Sequence, residues 1–417
     1  MLSTNDVQNF VFDLKDSTKP RSVNFYFDHY RGETIFRAVV YLANRGCEWS
    51  IKTGGCTMCG TKNTALRREI NDEDFYAQLA VAEDLIKKFN DSHDYKLTSF
   101  HVYNDGLFFN DAEVTPNVRQ RIFELAKSLG FKKLVVETNG IDVMKDNRTT
   151  DYLGKAIKFL APVELEVTLG VESANAQVRS LYNKPDSLEE MRSSLQIIRD
   201  KGGISKGYVL VKGPLMTEEE AYLDCVNTIN KLKEWSNGER FRVELQPVCL
   251  LPNTLHEFLI ARGKNDPYYW EPPLMSTLFR ILSNFPEMTE DLYTALFARI
   301  DKDSSWDFWQ NRPHDDQATT FKLYQQLVQY YLHRKPEYVT AALEIVNNSL
   351  WEERKKQVLP HPLEIRVSVV KKLISLSKKE NIHLSDYLKK YIGCNDNMNF
   401  IDACLKHFDK INAAELA

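Results

Sequence analysis

The chain has 417 residues, of which 43% are hydrophobic and 27% charged, and its formal net charge is −4 at pH 7. This composition is typical of a globular protein, and the slight negative charge gives no global indication of nucleic-acid binding. The first residues lack a basic stretch followed by an apolar core, and no apolar run approaches the roughly 18 residues that span a bilayer. We therefore expect a cytoplasmic protein without membrane contact. Seven cysteines in this length do not form a secreted disulfide framework.

The first predicted elements lead directly to a cysteine-rich stretch. Residues 1–35 are polar and mixed, and we expect an N-terminal extension there, with a turn at Arg31–Gly32. The apolar run FRAVVYLANRG at 36–46 predicts a buried strand. The stretch CEWSIKTGGCTMCG at 47–60 follows it, and its glycines argue against a helix.

Five further strand patterns follow, with amphipathic helical patterns between them. They are LTSFHVYNDG, KKLVVETNG, VELEVTLGVES, ISKGYVLVKGP and RFRVELQPVCL. Parallel neighbours need a crossover connection, so this alternation predicts an α/β fold with a partial or complete parallel βα barrel over 36–280. Residues 281–417 carry mostly helical patterns and are expected to form a C-terminal α-helical domain.

The cysteines Cys47, Cys56 and Cys59 have the spacing C-x8-C-x2-C. The two-residue gap lets adjacent thiolates converge on one metal centre, but a structural zinc site normally takes four protein ligands. Three ligands suit a centre with one open position, such as a [4Fe–4S] cluster held by three cysteines. The spacing alone favours the cluster and leaves zinc and a thiol redox pair open. The position after the first strand favours a functional centre, because βα barrels hold their active sites at the C-terminal ends of strands.

The segment RGCEWSIKTGGCTMCG, followed by this order of strands and helices, resembles the radical S-adenosylmethionine (SAM) superfamily. It is most similar to the branch that contains the Elongator catalytic subunit and the radical SAM subunit of archaeosine synthase. The resemblance continues in order through HVYNDGLFFND, LEVTLGVESANAQVRSLYNKP, GYVLVKGPLMTEEEAYLD, LQPVCLLPNTLHEFL and DPYYWEPPLMS. It covers about residues 36–280, and the order of the motifs is more specific than any one of them.

The resemblance implies a cofactor and a reaction. Cys47, Cys56 and Cys59 would hold a [4Fe–4S] cluster whose fourth iron binds the amino and carboxylate groups of SAM. Reductive cleavage of SAM would yield methionine and a 5′-deoxyadenosyl radical that abstracts hydrogen from a substrate. The electron would come from a donor such as flavodoxin or ferredoxin.

The resemblance and the positions at strand ends also assign residues to the mouth of the barrel. The residues expected to contact SAM are Asn104, Asp105, Gly106, Asn139, Glu172, Ser173, Arg179 and Gln246. Glu137 and Lys212 are expected to serve in catalysis. Structural alternatives exist, since Asn-Asp-Gly is a strong turn signal and a helical arginine is commonly a surface residue. A buried Glu172 carboxylate needs a partner, which we expect to be SAM or Arg179.

Other residues are weaker candidates. The residues Tyr268, Tyr269 and Trp270 are candidates for stacking on a base or an adenine, although aromatic linkers often simply pack. The loop residues Trp306, Trp309 and His314 are candidates for contacting a substrate. His101 lies within a predicted strand and is expected to be structural.

The substrate follows less directly from the sequence. The archaeosine synthase branch suggests a modified tRNA base, and residues 351–392 carry ten Lys and Arg against five acids, enough for a modest phosphate-binding patch. The branch also carries cysteines near a Pro-His motif, whereas RPHDDQATT here has none. Three hypotheses remain: tRNA modification, small-molecule biosynthesis, and a zinc-stabilised βα module without catalysis.

Overall fold

One sheet of nine strands organises the computed structural model, which describes residues 8–60, 63–144, 147–295, 310–394 and 398–416. The strands are β1 Gln8–Val11, β2 Ser22–Tyr30, β3 Glu33–Tyr41, β4 Leu97–Tyr103, β5 Lys133–Thr138, β6 Glu164–Glu172, β7 Ile204–Val211, β8 Arg242–Pro247 and β9 Leu292–Thr294. They lie in the sheet in chain order. Strands β1 to β3 are antiparallel, and strands β3 to β9 are parallel.

The sheet is curled and open between its first and last strands in the part of the chain that is described. Helices connect consecutive parallel strands, as a parallel sheet requires. The predicted α/β fold with a parallel βα barrel is therefore confirmed, in its partial form.

The sheet extends beyond both predicted boundaries of the barrel. Strands β1 and β2 lie within the expected N-terminal extension, and the turn at Arg31 and Gly32 has φ angles of 51° and 83°, which suit a tight hairpin. At the other end, β9 follows residue 280 and pairs with β8. It has three residues, too few to produce a strand pattern in the sequence.

Sixteen helices belong to the described residues. They are α1 Glu48–Thr53, α2 Asp72–Ser92, α3 Pro116–Ser128, α4 Gly140–Met144, α5 Asn147–Leu160, α6 Ala176–Leu181, α7 Leu188–Asp200, α8 Glu218–Ser236, α9 Leu255–Ala261, α10 Met275–Leu282, α11 Gln317–His333, α12 Pro336–Ile345, α13 Asn348–Lys355, α14 Leu363–Lys379, α15 Leu384–Tyr391 and α16 Phe400–Leu416. A short 3-10 helix spans Pro286–Met288. Where the chain is described, no helix combines the length and apolar character needed to cross a bilayer.

Two apolar cores hold these layers together. The larger joins the strands and barrel helices to α11 and α12, for example through Leu323 and Leu327, which are fully buried. The smaller joins α6 and α9 to α14, α15 and α16. The helices beyond residue 280 therefore share cores with the barrel.

Charged side chains fill the lower part of the barrel interior. Glu166 on β6 is fully buried and lies 3.6 Å from Lys133, 3.1 Å from Lys206 and 2.6 Å from Arg242. Side chains two residues apart on a strand share a face, so the alternation in VELEVTLG and ISKGYVLV places these charges inside. Each buried charge has an opposite partner, which offsets the cost of desolvation. The open part of the interior lies towards the C-terminal ends of the strands.

Candidate active site

Backbone strain marks the C-terminal ends of the parallel strands. Asp105 follows β4, Glu172 ends β6 and Lys212 follows β7, with φ angles of 50°, 61° and 63°. The left-handed region is unfavourable for residues with side chains, and strain of this kind clusters at functional sites. All three residues were predicted site residues. The strained edge of the sheet is thus the edge at which the sequence places the site.

The cysteine loop leaves β3 at this same edge. Cys47 is the N-cap residue of α1, and Cys56 follows Gly54 and Gly55, whose φ angles are 83° and 80°. The expectation that this stretch contains no helix is wrong, because the segment between Cys47 and Gly54 contains no glycine. The two glycines end the helix and return the chain to Cys56.

The three thiols form one electrostatically coupled group. All three cysteines are half-buried and free of disulfides, and Cys56 is influenced by the charges of Cys47 and Cys59. Burial raises the pKa of Cys47 and of Cys56 to about 12. The Lys184 ammonium group acts in the opposite direction on the Cys56 thiol. The thiols of Cys47 and Cys56 are therefore protonated until a metal replaces their protons.

This donor set fits an iron–sulfur cluster with an open iron. Zinc would hold every sulfur about 2.3 Å from one ion, whereas each cysteine of a cluster binds its own iron. Among the described residues, no three His, Cys, Asp or Glu side chains converge as a single ion would require. The backbone around the thiols is also tightly packed, since a Cβ on Gly60 would lie 2.8 Å from the Leu251 side chain.

Glu113 is a site residue that sequence reasoning missed. Its carboxylate is buried and accepts hydrogen bonds from the backbone N–H groups of Glu48, at 2.8 Å, and Leu107, at 2.5 Å. Burial raises its pKa to about 7. A Cβ on Gly106 would lie 1.8 Å from Glu113 Oε2, so glycine is required there. Glu113 thereby connects the cysteine loop to the predicted Asn104–Gly106 turn.

The side chains of this turn have protein partners. Asn104 is buried, and its Nδ2 lies 3.5 Å from Glu113 Oε2. The carboxylate of Asp105 forms an ion pair with Arg21 and accepts a hydrogen bond from Thr64 at 3.2 Å. The backbone of the turn is thus the part left to contact a cofactor, and that contact stays a prediction.

Glu172 and Arg179 do not pair with each other. Lys184 lies 3.0 Å from Glu172, and the guanidinium group of Arg179 donates to the Asp186 carboxylate at 2.7 Å. Arg179 is buried and also donates to the Val171 carbonyl oxygen, so it fixes the end of β6 from within. Of the two partners expected for Glu172, Arg179 instead binds Asp186, and contacts of Glu172 and Arg179 with SAM stay predictions. Lys184 belongs to a motif that the resemblance included.

Ser173 and Asn139 bind neighbouring backbone and side chains. Ser173 Oγ donates to Asp224 at 2.8 Å and accepts from the N–H group of Asn175. Asn139 Oδ1 accepts from the N–H group of Asp142 at 2.7 Å in the first turn of α4. Both residues lie at the predicted strand ends, and their contacts with SAM stay predictions.

A polar pair faces the open upper interior. Tyr208 on β7 donates a hydrogen bond to Glu137 on β5, and both side chains are half-buried. Burial raises the pKa of Glu137 to about 7. Gln246 on β8 is also half-buried and donates to Glu244 at 2.9 Å. The Glu244 carboxylate influences Glu137 and accepts from Gln246, so the strand order brings Glu137 and Gln246 near one another. It also adds Tyr208, which the sequence did not single out.

Lys212 lies deeper than expected. It is buried, and its ammonium group lies 2.8 Å from Glu218. Burial lowers the pKa of Lys212, while Glu218 also accepts a hydrogen bond from Thr277. The pair connects the end of β7 to α8 and α10. A catalytic role for Lys212 stays a prediction.

The weaker candidates differ in their surroundings. Tyr268 and Trp270 are buried in the smaller core, which leaves them unavailable for stacking on a base. His101 contacts Ser99 and Tyr103 inside the barrel, so it is structural. His314 contacts the Arg312 carbonyl oxygen. Tyr269 is half-buried, with Lys264 Nζ 5.9 Å from its ring centroid, and its stacking role stays a prediction. Trp306 and Trp309 lie outside the described residues.

Sequence comparison finds relatives that match up to 64% of the chain. No protein-family model matches the chain. An uncharacterised protein of Methanocaldococcus jannaschii is 27% identical over 275 residues, 64% of this chain and 70% of that protein. Archaeosine synthase subunit beta of Methanosarcina acetivorans is 24% identical over 245 residues, 58% of this chain and 65% of that protein. The matches to that subunit from Methanosarcina acetivorans and Thermococcus kodakarensis span 65% and 50% of its length, and they confirm the resemblance to this branch.

Solved structures with similar folds include radical SAM enzymes. Elp3 of Methanocaldococcus infernus is 15% identical, covers 62% of this chain and 59% of that chain, and gives a TM-score of 0.41. The radical SAM methyltransferase TsrM of Kitasatospora setae is 14% identical, covers 53% of this chain and 38% of that chain, and gives a TM-score of 0.37. Both TM-scores lie below 0.5, which indicates a distant similarity of fold.

Proposed function

We propose that this chain, which is related to the radical SAM superfamily in the branch of archaeosine synthase and the Elongator catalytic subunit, is a radical SAM enzyme that holds a [4Fe–4S] cluster on Cys47, Cys56 and Cys59. The observation that supports this most is the group of three half-buried thiols after the first parallel strand, at the strained edge of the sheet. When bound, the cluster would supply an electron to SAM and so provide a 5′-deoxyadenosyl radical for hydrogen abstraction.

The residues around the thiols would hold and orient the cofactors. The Lys184 ammonium group beside Cys56 would stabilise its thiolate, and Glu172 fixes Lys184 at 3.0 Å. The bare backbone at Gly106 would let SAM approach the end of β4 closely. The position of that backbone is set by Glu113, which bonds both the turn and α1.

The upper interior would bind the substrate. Glu137, Tyr208 and Gln246 offer a carboxylate, a hydroxyl and an amide on half-buried side chains of the parallel strands. Such groups suit a polar substrate with N–H and O–H groups. The charged pairs below them close the interior, which would exclude water from the reacting atoms.

A modified tRNA base is the substrate that the archaeosine synthase relatives favour. Among the described ion pairs, Arg354, Lys355, Arg366, Lys389 and Lys390 of the 351–392 stretch contact protein acids. Lys371, Lys372, Lys378 and Lys379 are exposed on α14. These four lysines are the candidates for phosphate contact.

A small-molecule substrate is the second candidate, and one observation favours it. Helix α14 packs against the cysteine loop, since Lys378 Nζ lies 5.8 Å from the Trp49 ring centroid. Ile374 and Ser377 line a small cavity together with residues 53–57. A helix packed over the cysteine loop would enclose a pocket suited to a small molecule.

Anaerobic purification tests the cluster. We expect a brown protein with about four irons and four sulfides per chain, whose visible absorption dithionite bleaches. The variants Cys47→Ala, Cys56→Ala and Cys59→Ala should lose this absorption, whereas Cys225→Ala, on α8, should keep it. A colourless protein that retains zinc would contradict the proposal.

A binding assay separates the two substrate classes. Reversing the charges of Lys371, Lys372, Lys378 and Lys379 should abolish salt-dependent tRNA binding if the substrate is tRNA. Reversing Lys155 and Lys158 on α5 is the matched control and should leave binding intact. Absence of tRNA binding by the unaltered protein would favour the small-molecule substrate.

A further inference from the structure

A cleft of about 360 Å³ opens beside the cysteine loop. Gly46 and Ser50 line one side, and Arg67 and Arg68 line another. Gly46 precedes the first cysteine, so the cleft lies on the protein surface next to the proposed cluster site. Ile51 on α1 also lines it and is 55% exposed.

The surface around this cleft carries more positive than negative charge. Lys52 on α1 is 67% exposed, and Arg67 and Arg68 are exposed. The carboxylates nearby are those of Glu48, which pairs with Lys52 at 2.8 Å, and Glu69, which pairs with Arg45 at 3.2 Å. Among the described residues that line the cleft, Arg45, Arg67 and Arg68 are cationic and Glu69 is acidic.

The cleft and the barrel interior are different approaches to the thiols. The lining of the cleft comes from the cysteine loop, residues 65–69 and His383. Glu137 on β5 and Tyr208 on β7, which are proposed to meet the substrate, are not among the described residues that line the cleft. Ile51 lies one helical turn from Cys47, because its N–H group donates to the Cys47 carbonyl oxygen at 3.0 Å. One turn rises about 5.4 Å, so a protein seated on α1 comes close to the site.

We propose that this face, made of Lys52, Arg67 and Arg68 around Ile51 and called the cysteine-loop face, docks an acidic one-electron donor protein. The inference rests on the proposed function. The donor is oxidised by one electron, the cluster at the three cysteines is reduced by one, and no bond forms or breaks. Basic residues around an exposed apolar centre suit a transient acidic partner, because opposite charges accelerate the association of the two proteins. Substrate and donor then occupy separate surfaces.

The test compares two reductants on the iron-loaded protein. We expect the triple variant Lys52→Glu, Arg67→Glu, Arg68→Glu to slow cluster bleaching by reduced flavodoxin about tenfold or more at low salt. Bleaching by dithionite, a small reductant, and the iron content should not change. The matched control reverses Lys155, Lys158 and Lys201 and should leave both rates unchanged. If the triple variant does not fold, Ile51→Asp replaces it, with the same expectations.

The outcomes separate this inference from the proposed function. Equal flavodoxin rates in the unaltered and triple-variant proteins would overturn the docking face alone. Loss of tRNA binding in the triple variant, with the flavodoxin rate unchanged, would assign the face to RNA and also overturn it. A protein that takes up no iron would overturn the proposed function itself.

Discussion

Three carboxylic acids near the candidate site are buried or half-buried. Burial raises the pKa of Glu113, Glu137 and Asp224 to about 7 in each case. Such acids are partly protonated near neutral pH, so they can donate as well as accept hydrogen bonds there. Perturbed acids at one edge of a sheet are typical of functional sites.

The Asp224 carboxyl should make stability depend on pH. Its pKa is raised from an ordinary 3.8 to about 7, so the folded state binds more protons than the unfolded state between these values. Stability from this group is present at pH 4 and is lost as pH rises through 7. We therefore expect Asp224→Asn, which can still accept from Ser173, to be more stable than the unaltered protein by about 2–4 kcal/mol above pH 7, and equal at pH 4. Urea unfolding at both pH values measures the difference.

The control for this prediction is an exposed aspartate. Asp386→Asn on α15 should give an unfolding curve parallel to that of the unaltered protein at both pH values. If the unfolding free energy of Asp224→Asn differs from that of the unaltered protein by the same amount at both pH values, the raised pKa of Asp224 is contradicted.

The contact between Gly106 and Glu113 should be sensitive to one methyl group. Gly106→Ala places Cβ 1.8 Å from a carboxylate that is 3% exposed, so Glu113 must leave its hydrogen bonds to two backbone N–H groups. We expect a loss of about 2 kcal/mol in unfolding free energy. The same change should cost clearly less in a Glu113→Ala background, as a double-mutant cycle would measure. Unfolding free-energy losses that simply add in the double variant would contradict this prediction. Gly154→Ala is the control, because the atom nearest to its added Cβ, Lys201 Cδ, lies 3.4 Å away.

At the scale of elements, α14 holds the C-terminal helices to the barrel. Arg366 on α14 is buried and donates to both carboxylate oxygens of Glu220 and to the Leu215 carbonyl oxygen. Glu220 also completes the capping box of α8 with Thr217. One arginine thus connects α14, the end of β7 and the start of α8.

Removing this arginine should loosen α14. Arg366→Met keeps the apolar stem and loses hydrogen bonds to a charged group, so we expect about 2–3 kcal/mol of destabilisation and faster protease cleavage near α14. The exposed Lys371→Met on the same helix should change neither. Equal losses of stability in the two variants would show that the Arg366 hydrogen bonds do not stabilise the attachment of α14.

The sequence predicts a strand correctly where one or both faces of that strand are apolar. Strands β3 to β8 follow from short apolar runs between helices, because burial in a parallel sheet selects such runs. Strand β2 was missed because Asp28 and His29 interrupt its apolar pattern, and their partners come from distant segments. The site was predictable as far as the cysteines and strand ends, whereas partners such as Glu113 and Lys184 depend on loop paths that periodicity does not encode.

At the scale of the whole molecule, the barrel and the later helices should unfold together. Residues beyond 280 contribute β9 and apolar side chains to the larger core. We expect a single cooperative thermal transition in calorimetry. Leu327→Ala on α11, at a fully buried position, should lower the unfolding free energy by about 2–5 kcal/mol and shift the whole transition. Two transitions, with only one shifted, would instead support a separate domain after residue 280.

The most direct measurement of the central claim is product formation from SAM. The purified, iron-loaded protein is incubated anaerobically with SAM and dithionite, and 5′-deoxyadenosine is quantified. We expect 5′-deoxyadenosine and methionine to form, Cys56→Ala to abolish both products, and Cys225→Ala to leave them unchanged. An iron-loaded protein that leaves SAM intact, or a Cys56→Ala variant as active as the unaltered protein, would contradict the central claim.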